Sequence, residues 1–433
     1  MKSLWMTLVL YAVSACAFAD DADALKKRLQ DLNGQNADHW IYNDIPAGFA
    51  EAQRTGKPLF ITFRCVPCVD CLGFDGEVAD GNGAIKQLAS EAFVGVRQVE
   101  MKGVDLTQFQ FDHDLNWAGM FLNADGTIYA RYGTQSSDGA DAFNSVEGLL
   151  ATMNRVLELH EEYPNNKHLF VGKKPDQKPW KTAKGIPTLH PNLRKEAQTS
   201  RTHCIHCHNI HDAEHDLWVR DGVMSKDKLW RYPFPDNLGI SLSVRDGRTV
   251  DAVKAGSVAA KAGIVAGKVV NQVNGQAISS VADFQWVLHG LPNRAGETIT
   301  VTFDDDHEAT LKTNENWKET DISWRGSLFS LSPKLRIWMP ALKSSELSKH
   351  NLSPGTTALM IKWINRGKPA GKAAVGAGLK QGDIILKAEG RPVPDSDQQF
   401  HAWVKMNYQS GQTLPLTVMR NGNEIEIELP LVE

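Results

Sequence analysis

The run Pro58-Leu59-Phe60-Ile61-Thr62-Phe63 is apolar and β-rich over the length of one strand, and it predicts a strand. Phe93 to Val99 predicts a second strand. Met120 to Leu122 and Ile128 to Arg131 predict a hairpin turning at Asp125-Gly126. Leu149, Met153, Val156 and Leu157 recur at helical spacing within Val146 to Glu162, and Ala24 to Leu32 reads as a short charged helix. This alternation from about Trp40 to His160 predicts an α/β sandwich. From about Pro164 to Pro235 the chain turns to Lys, Pro, His and Asn with few apolar clusters. Such a segment builds no core of its own and serves as a linker or is ordered by a cofactor.

The remainder carries an approximate internal repeat. Thr249-Val250-Asp251-Ala252-Val253, followed by Gly256 to Ile264 and Val273-Asn274-Gly275, is echoed by Leu359 to Ile364 followed by Ala374 to Ile385. Two copies of one small domain therefore close the chain. A length of 433 residues accommodates these modules.

At the N-terminus, Met1-Lys2 precede an apolar stretch from Leu4 to Val13 and a small-residue site through Ala17-Phe18-Ala19. Residues 1–19 read as an export signal, which implies a periplasmic or cell-envelope protein. Val13-Ser14-Ala15-Cys16 also resembles a lipobox, so a lipid anchor at Cys16 is the alternative to a soluble mature chain. No later run reaches the roughly 18 apolar residues of a membrane span. Lys and Arg total 47 against 51 Asp and Glu, a net charge of −4, which gives no electrostatic case for nucleic acid.

Apart from Cys16, the cysteines fall into two tight groups, Cys65/Cys68/Cys71 and Cys204/Cys207. Clustering at two-residue gaps points to redox or metal chemistry rather than scattered disulfides. The first group follows a predicted strand and opens an amphipathic segment, where a helix N-terminus stabilises a thiolate. Reversible dithiol chemistry, capture of a soft, copper-type metal and three inert buried cysteines are the readings open at this point. His113 is a candidate fourth ligand for the metal reading.

Cys204-Ile205-His206-Cys207-His208 has the Cys-x-x-Cys-His spacing that attaches one covalent c-type haem, with thioethers from Cys204 and Cys207 and iron ligation by His208. Met224, His211 and His215 are the candidate sixth ligands. A zinc site using Cys204, Cys207 and two histidines is the rival.

With Thr62-Phe63 as a strand end, the first segment resembles the thioredoxin-like superfamily. The resemblance implies Cys68 as nucleophile, Cys71 or Cys65 as resolving thiol, and Cys65 as an extra. It departs from the family at Trp117, where a cis-proline would pack on the dithiol. Loss of that proline weakens disulfide exchange and favours metal binding.

The repeat resembles bacterial PDZ domains of HtrA-type proteins. In the first copy Asn237-Leu238-Gly239-Ile240-Ser241-Leu242 is similar to the carboxylate-binding loop, which implies that Leu238, Gly239 and Ile240 hold protein C-termini or extended peptides. Gly267-Lys268 stands where the family has Gly-Asp. In the second copy Leu335-Arg336-Ile337-Trp338-Met339 has no glycine at the loop, which puts peptide binding there in doubt.

The whole order resembles a bacterial thioredoxin-like/PDZ family with selenoprotein members, of which this would be a cysteine-containing one. The fold class expected is multidomain α/β plus mainly-β: a thioredoxin-like sandwich over 36–165, a haem-motif linker over 166–235, and PDZ domains over 236–315 and 325–433. No protease motif accompanies them. The leading function is an exported thiol/haem redox protein, a thiol-disulfide oxidoreductase or electron-transfer protein, with a redox partner protein and PDZ docking. The alternative is a soft-metal binding and delivery protein.

Overall fold

The strand predicted around Phe60 forms as β2 (Leu59–Arg64), buried along its whole length at the centre of a five-stranded sheet. In the computed structural model, which describes residues 39–64, 72–99, 101–194 and 205–432, the sheet order is β1-β3-β2-β4-β5. β1 is Trp40–Tyr42, β3 Val94–Gln98, β4 Trp117–Leu122 and β5 Ile128–Tyr132. β1, β3 and β2 run parallel, and β4 and β5 continue antiparallel through the hairpin read from Asp125-Gly126.

Alternate residues of each strand feed opposite cores. Leu59, Ile61 and Phe63 of β2 join Ala118, Met120 and Leu122 of β4 on one face. Phe60, Trp117 and Phe121 lie on the other. α1 (Ile45–Thr55) covers the first face through Ile45 and Ala52. The second is covered by α3 (Gly83–Ala92) and α4 (Val146–Glu161). Between β2 and α3 lies α2 (Leu72–Gly76), which runs on into a π-helical turn.

The segment after Pro164 departs from the expected linker. It has no core of its own, yet Phe170 enters the second face, and Ala183, Ile186, Leu189, Ile205, Cys207, Ile210 and Ala213 complete the first. A few widely spaced apolar residues are enough, because the sheet already offers the apolar surface they cover. α5 (Cys207–Arg220) ends this segment.

The first repeat builds β6 (Ile240–Leu242), β7 (Val250–Val253), β8 (Val270–Val273), β9 (Gln276–Ala277), β10 (Thr298–Phe303) and β11 (Glu308–Lys312), with α6 (Val258–Lys261) and α7 (Val281–His289). The second builds β12 (Ile337–Trp338), β13 (Leu359–Met360), β14 (Trp363–Ile364), β15 (Ile384–Ala388), β16 (Arg391–Pro392), β17 (Thr413–Arg420) and β18 (Asn423–Pro430), with α8 (Ser344–Leu347), α9 (Pro369–Gly376) and α10 (Asp397–Asn407). The chain divides into two compact units, Met1–Ala213 with Asp227–Thr320, and Glu214–Lys226 with Asp321–Glu433. No helix among the described residues is long and apolar enough to cross a membrane.

Within the first unit the sandwich and the first repeat share one buried polar junction. Asp283 of α7 accepts the Arg131 backbone N–H at 3.0 Å and pairs with Lys173 Nζ at 2.9 Å, both side chains being at most 1 % exposed. Lys173 also donates to Tyr129 O, and the Arg131 guanidinium lies 3.6 Å from the Trp286 ring centroid. Ser145 caps α4 by accepting from Gly148 N, and its hydroxyl donates to Val244 O of the repeat. At Gly148 a Cβ would fall 2.4 Å from that same carbonyl, so the approach requires glycine.

Asp283→Asn leaves the Lys173 ammonium buried without its counter-charge. We expect a loss of about 3–5 kcal/mol from the first unit in urea unfolding of the full chain. The Lys173→Met, Asp283→Asn double variant should lose less than the sum of the single changes, since it leaves no unpaired charge.

Candidate functional site

Arg64, the last residue of β2, immediately precedes Cys65. Its guanidinium pairs with Asp75 of α2, and Arg97 of β3 reaches the same carboxylate at 2.8 Å. The Trp117 indole N–H donates to the other Asp75 oxygen at 3.1 Å. All four side chains are buried. Burial works to raise the Asp75 pKa, but the charges of Arg97 and Arg64 outweigh it and hold the carboxyl below its ordinary value. This buried group lies at the end of the strand that leads into the segment bearing the three cysteines, and cations near a thiol favour its thiolate. Cys65, Cys68 and Cys71 lie outside the described residues, as do the export signal and Cys16. Sequence reading treated Trp117 only as a missing proline and did not find Asp75 or Arg97. Their roles depend on contacts across 22 to 42 residues.

Of the Cys-x-x-Cys-His motif, Cys204 lies outside the described residues, whereas Cys207 and His208 open α5. Cys207 is buried in the first apolar face and His208 is half-buried, stacked on His206 at 5.6 Å. A thiol beside apolar surface with an imidazole next to it fits the attachment chemistry of a c-type haem. His211, one turn further along α5, is buried rather than on the surface. It faces Asp112 at 3.7 Å, packs edge-on to His113 at 5.2 Å and touches Arg231. Burial is the main cause that holds His113 neutral, with its pKa pushed down to about 3. His215 is also buried, and Met224 is half-buried. Both belong to the second unit. Asp112 and Asp114 were missed in sequence, where the string Asp112-His113-Asp114 has the look of an ordinary polar loop.

In the first repeat, Leu238 and Ile240 point into its core and Gly239 adopts a left-handed φ of +87°. A Cβ at Gly239 would sit 2.2 Å from Ser257, so the turn needs glycine. The Gly239 carbonyl accepts from Lys254 N, and its N–H closes a turn onto Asp236 O. The turn therefore already engages one of the N–H groups expected to hold a carboxylate. β6 pairs only with β7 among the described strands, so its second edge is open to an added strand.

The comparisons with known proteins match this division. A sequence profile of thioredoxin-like domains matches residues 40–124, and a PDZ domain profile matches 237–313 and again 360–431. The chain contains one thioredoxin-like domain and two PDZ domains. The periplasmic pH-dependent serine endoprotease DegQ of Escherichia coli (strain K12) is 30% identical over 146 residues, which are 34% of this chain and 29% of DegQ. The match thus spans under a third of that relative. Among solved structures, the HtrA3 PDZ domain bound to a phage-derived ligand (FGRWV) is 18% identical over 22% of this chain and 81% of that one, with a TM-score of 0.18. The HtrA-type protease AlgW with a decapeptide is 15% identical over 38% and 49%, with a TM-score of 0.21.

The second PDZ domain keeps the turn that its sequence seemed to lack. Arg336 takes the left-handed place of Gly239, with φ +57°, and its carbonyl accepts from Asn365 N as Gly239 O does from Lys254 N. An arginine there costs about 1–2 kcal/mol against glycine. The Arg336 and Trp338 carbonyls face β14, so that of Ile337 faces the other edge, where His401 Nε2 of α10 meets it at 3.1 Å. Lys405, one turn along α10, donates to Leu331 O and Pro333 O. The edge a peptide would use is thus already engaged by His401.

Two outcomes follow from these charges. Asp75→Asn removes a negative charge near the start of the cysteine segment, so the pH midpoint for thiol alkylation should fall, and unfolding should show a loss of about 3–5 kcal/mol from the two broken buried ion pairs. At Lys405, burial first and then the charges of Lys334 and Arg336 push the pKa down to about 7. Between that value and the unfolded pKa of about 10.4 the unfolded chain binds more protons, so the stability of the second unit should rise with pH across this window. Lys405→Met should flatten that dependence in thermal melts.

Proposed function

We propose that this chain is an exported redox protein in which the thioredoxin-like domain exchanges thiols with a partner protein docked by the first PDZ domain. A redox-type domain joined to peptide-docking modules is the part that the domain content carries by itself. The Arg64 and Arg97 guanidinium groups, buried beside the end of the strand that leads into Cys65, support the finer reading, because cations near a thiol favour an attacking thiolate. In that reading Cys68 attacks a partner disulfide and forms a mixed disulfide. Cys71 then displaces the partner thiolate, leaving an oxidised Cys68–Cys71 pair and a partner reduced by two electrons. Cys204 and Cys207 would hold a haem by thioethers with His208 on its iron, and the haem would supply one-electron chemistry. The edge of β6 that no described strand occupies suits an extended C-terminal peptide.

Trp117 favours a second reading. A bulky indole hydrogen-bonded to Asp75 stands where a thioredoxin has its metal-excluding proline, which suits capture of a soft metal by Cys65, Cys68 and Cys71.

The chain should be made in an exporting host with c-type haem maturation and equilibrated with glutathione buffers. A two-electron couple lost in Cys68→Ser, with covalent haem staining lost in Cys204→Ala, Cys207→Ala, is the expected result. A stoichiometric copper that survives dialysis and shields all three thiols from alkylation would replace thiol exchange with metal delivery. Haem staining absent from the well-expressed parent chain would remove haem from the reading.

A further inference from the structure

We propose that Asp112, Asp114 and His211 form a binding site for a divalent transition metal of the zinc type, completed by His113. The site uses none of the cysteines and is independent of the redox reading.

One donor atom from each of Asp112, Asp114 and His211 lies within 4.8 Å of the others, and all three residues are buried. His211 Nε2 and Asp112 Oδ1 are 3.7 Å apart. Bonds of about 2.0–2.1 Å in a tetrahedral zinc site put neighbouring donors about 3.3 Å apart, so a small contraction closes the set. Carboxylates buried together are costly unless a cation neutralises them.

The independent observation is His113. It is 2 % exposed, and neither of its ring nitrogens has a hydrogen-bond partner. It stands between the two aspartates in sequence and packs between the rings of Phe111 and His211, at 4.6 and 5.2 Å. A buried imidazole with both nitrogens unsatisfied carries an uncompensated desolvation cost unless something binds it. A metal ion beside two carboxylates and a second imidazole would do so.

Carboxylate and imidazole donors select a harder ion than thiolates do, which separates this site from the copper-type chemistry open to Cys65, Cys68 and Cys71. Arg231, against His211 Nδ1, and Lys178, whose charge acts on His113, are the neighbouring cations. In the ion-free state the Arg231 guanidinium is a positive charge against His211. With the ion bound, the metal would tie the loop before β4 to α5, and so fix the helix carrying Cys207 and His208 to the thioredoxin-like sheet.

The full haem-matured chain would be loaded with zinc, dialysed, and measured by elemental analysis and zinc-edge X-ray absorption. We expect a single retained zinc with an oxygen and nitrogen shell and no sulfur contribution at the roughly 2.3 Å typical of zinc–thiolate bonds. Asp112→Asn with His211→Gln should abolish retention. His113→Gln alone, the milder change, should weaken affinity roughly tenfold or more while leaving circular dichroism unchanged. Three results would overturn the site: a sulfur shell, zinc retained by the folded variants, or no zinc retained by the parent chain.

Discussion

The Asp283 carboxylate is the constraint on which the first unit depends. It is fully buried, accepts a backbone N–H from the central sandwich, and is the counter-ion of Lys173 from the segment that follows α4. Three stretches of chain spread over 152 residues therefore share one charge. Because an unpaired buried charge costs several kcal/mol, these stretches are held in one arrangement rather than loosely tethered. A PDZ domain on such a junction offers its peptide edge in a fixed relation to the thioredoxin-like sheet.

The same economy of buried charge appears at the end of β2. Asp75 is shared by the Arg64 and Arg97 guanidinium groups, and the Trp117 indole takes its second oxygen. The residue that departs most from thioredoxins is thus bound into the charge network rather than being a simple loss. On the opposite sheet face, α5 brings Cys207 into the core and stands His211 against Asp112 and His113. Phe63 near the end of β2 packs on Phe111, Phe111 on His113 and His113 on His211, so a continuous line of rings runs from β2 to α5.

The two PDZ domains share a backbone and differ in chemistry. Gly239 and Arg336 make the same left-handed turn and the same carbonyl contact to the strand beyond. In the second domain, though, His401 and Lys405 of α10 grip the chain where a ligand would run. In the first, Gln285 of α7 holds Tyr232 O in the segment before the loop, while β6 keeps an open edge. Duplication preserved the fold, and side chains on one helix separated the two surfaces.

By itself the sequence determined the strands of the sandwich other than β1 (Trp40–Tyr42), the hairpin at Asp125-Gly126, the helix from Val146 and the repeated domain, because each rests on local apolar spacing or turn chemistry. It also marked Cys207, His208 and the Leu238-Gly239-Ile240 loop as chemically distinct. Only tertiary structure decided that the Pro164 to Pro235 stretch completes a core, since its apolar residues are too sparse to announce a partner surface. Tertiary structure likewise joined Arg64 to Asp75 and Arg97, Asp283 to Lys173, and His113 to His211. Charges brought together across a fold leave no periodic trace in the chain, and their partners are fixed by packing alone.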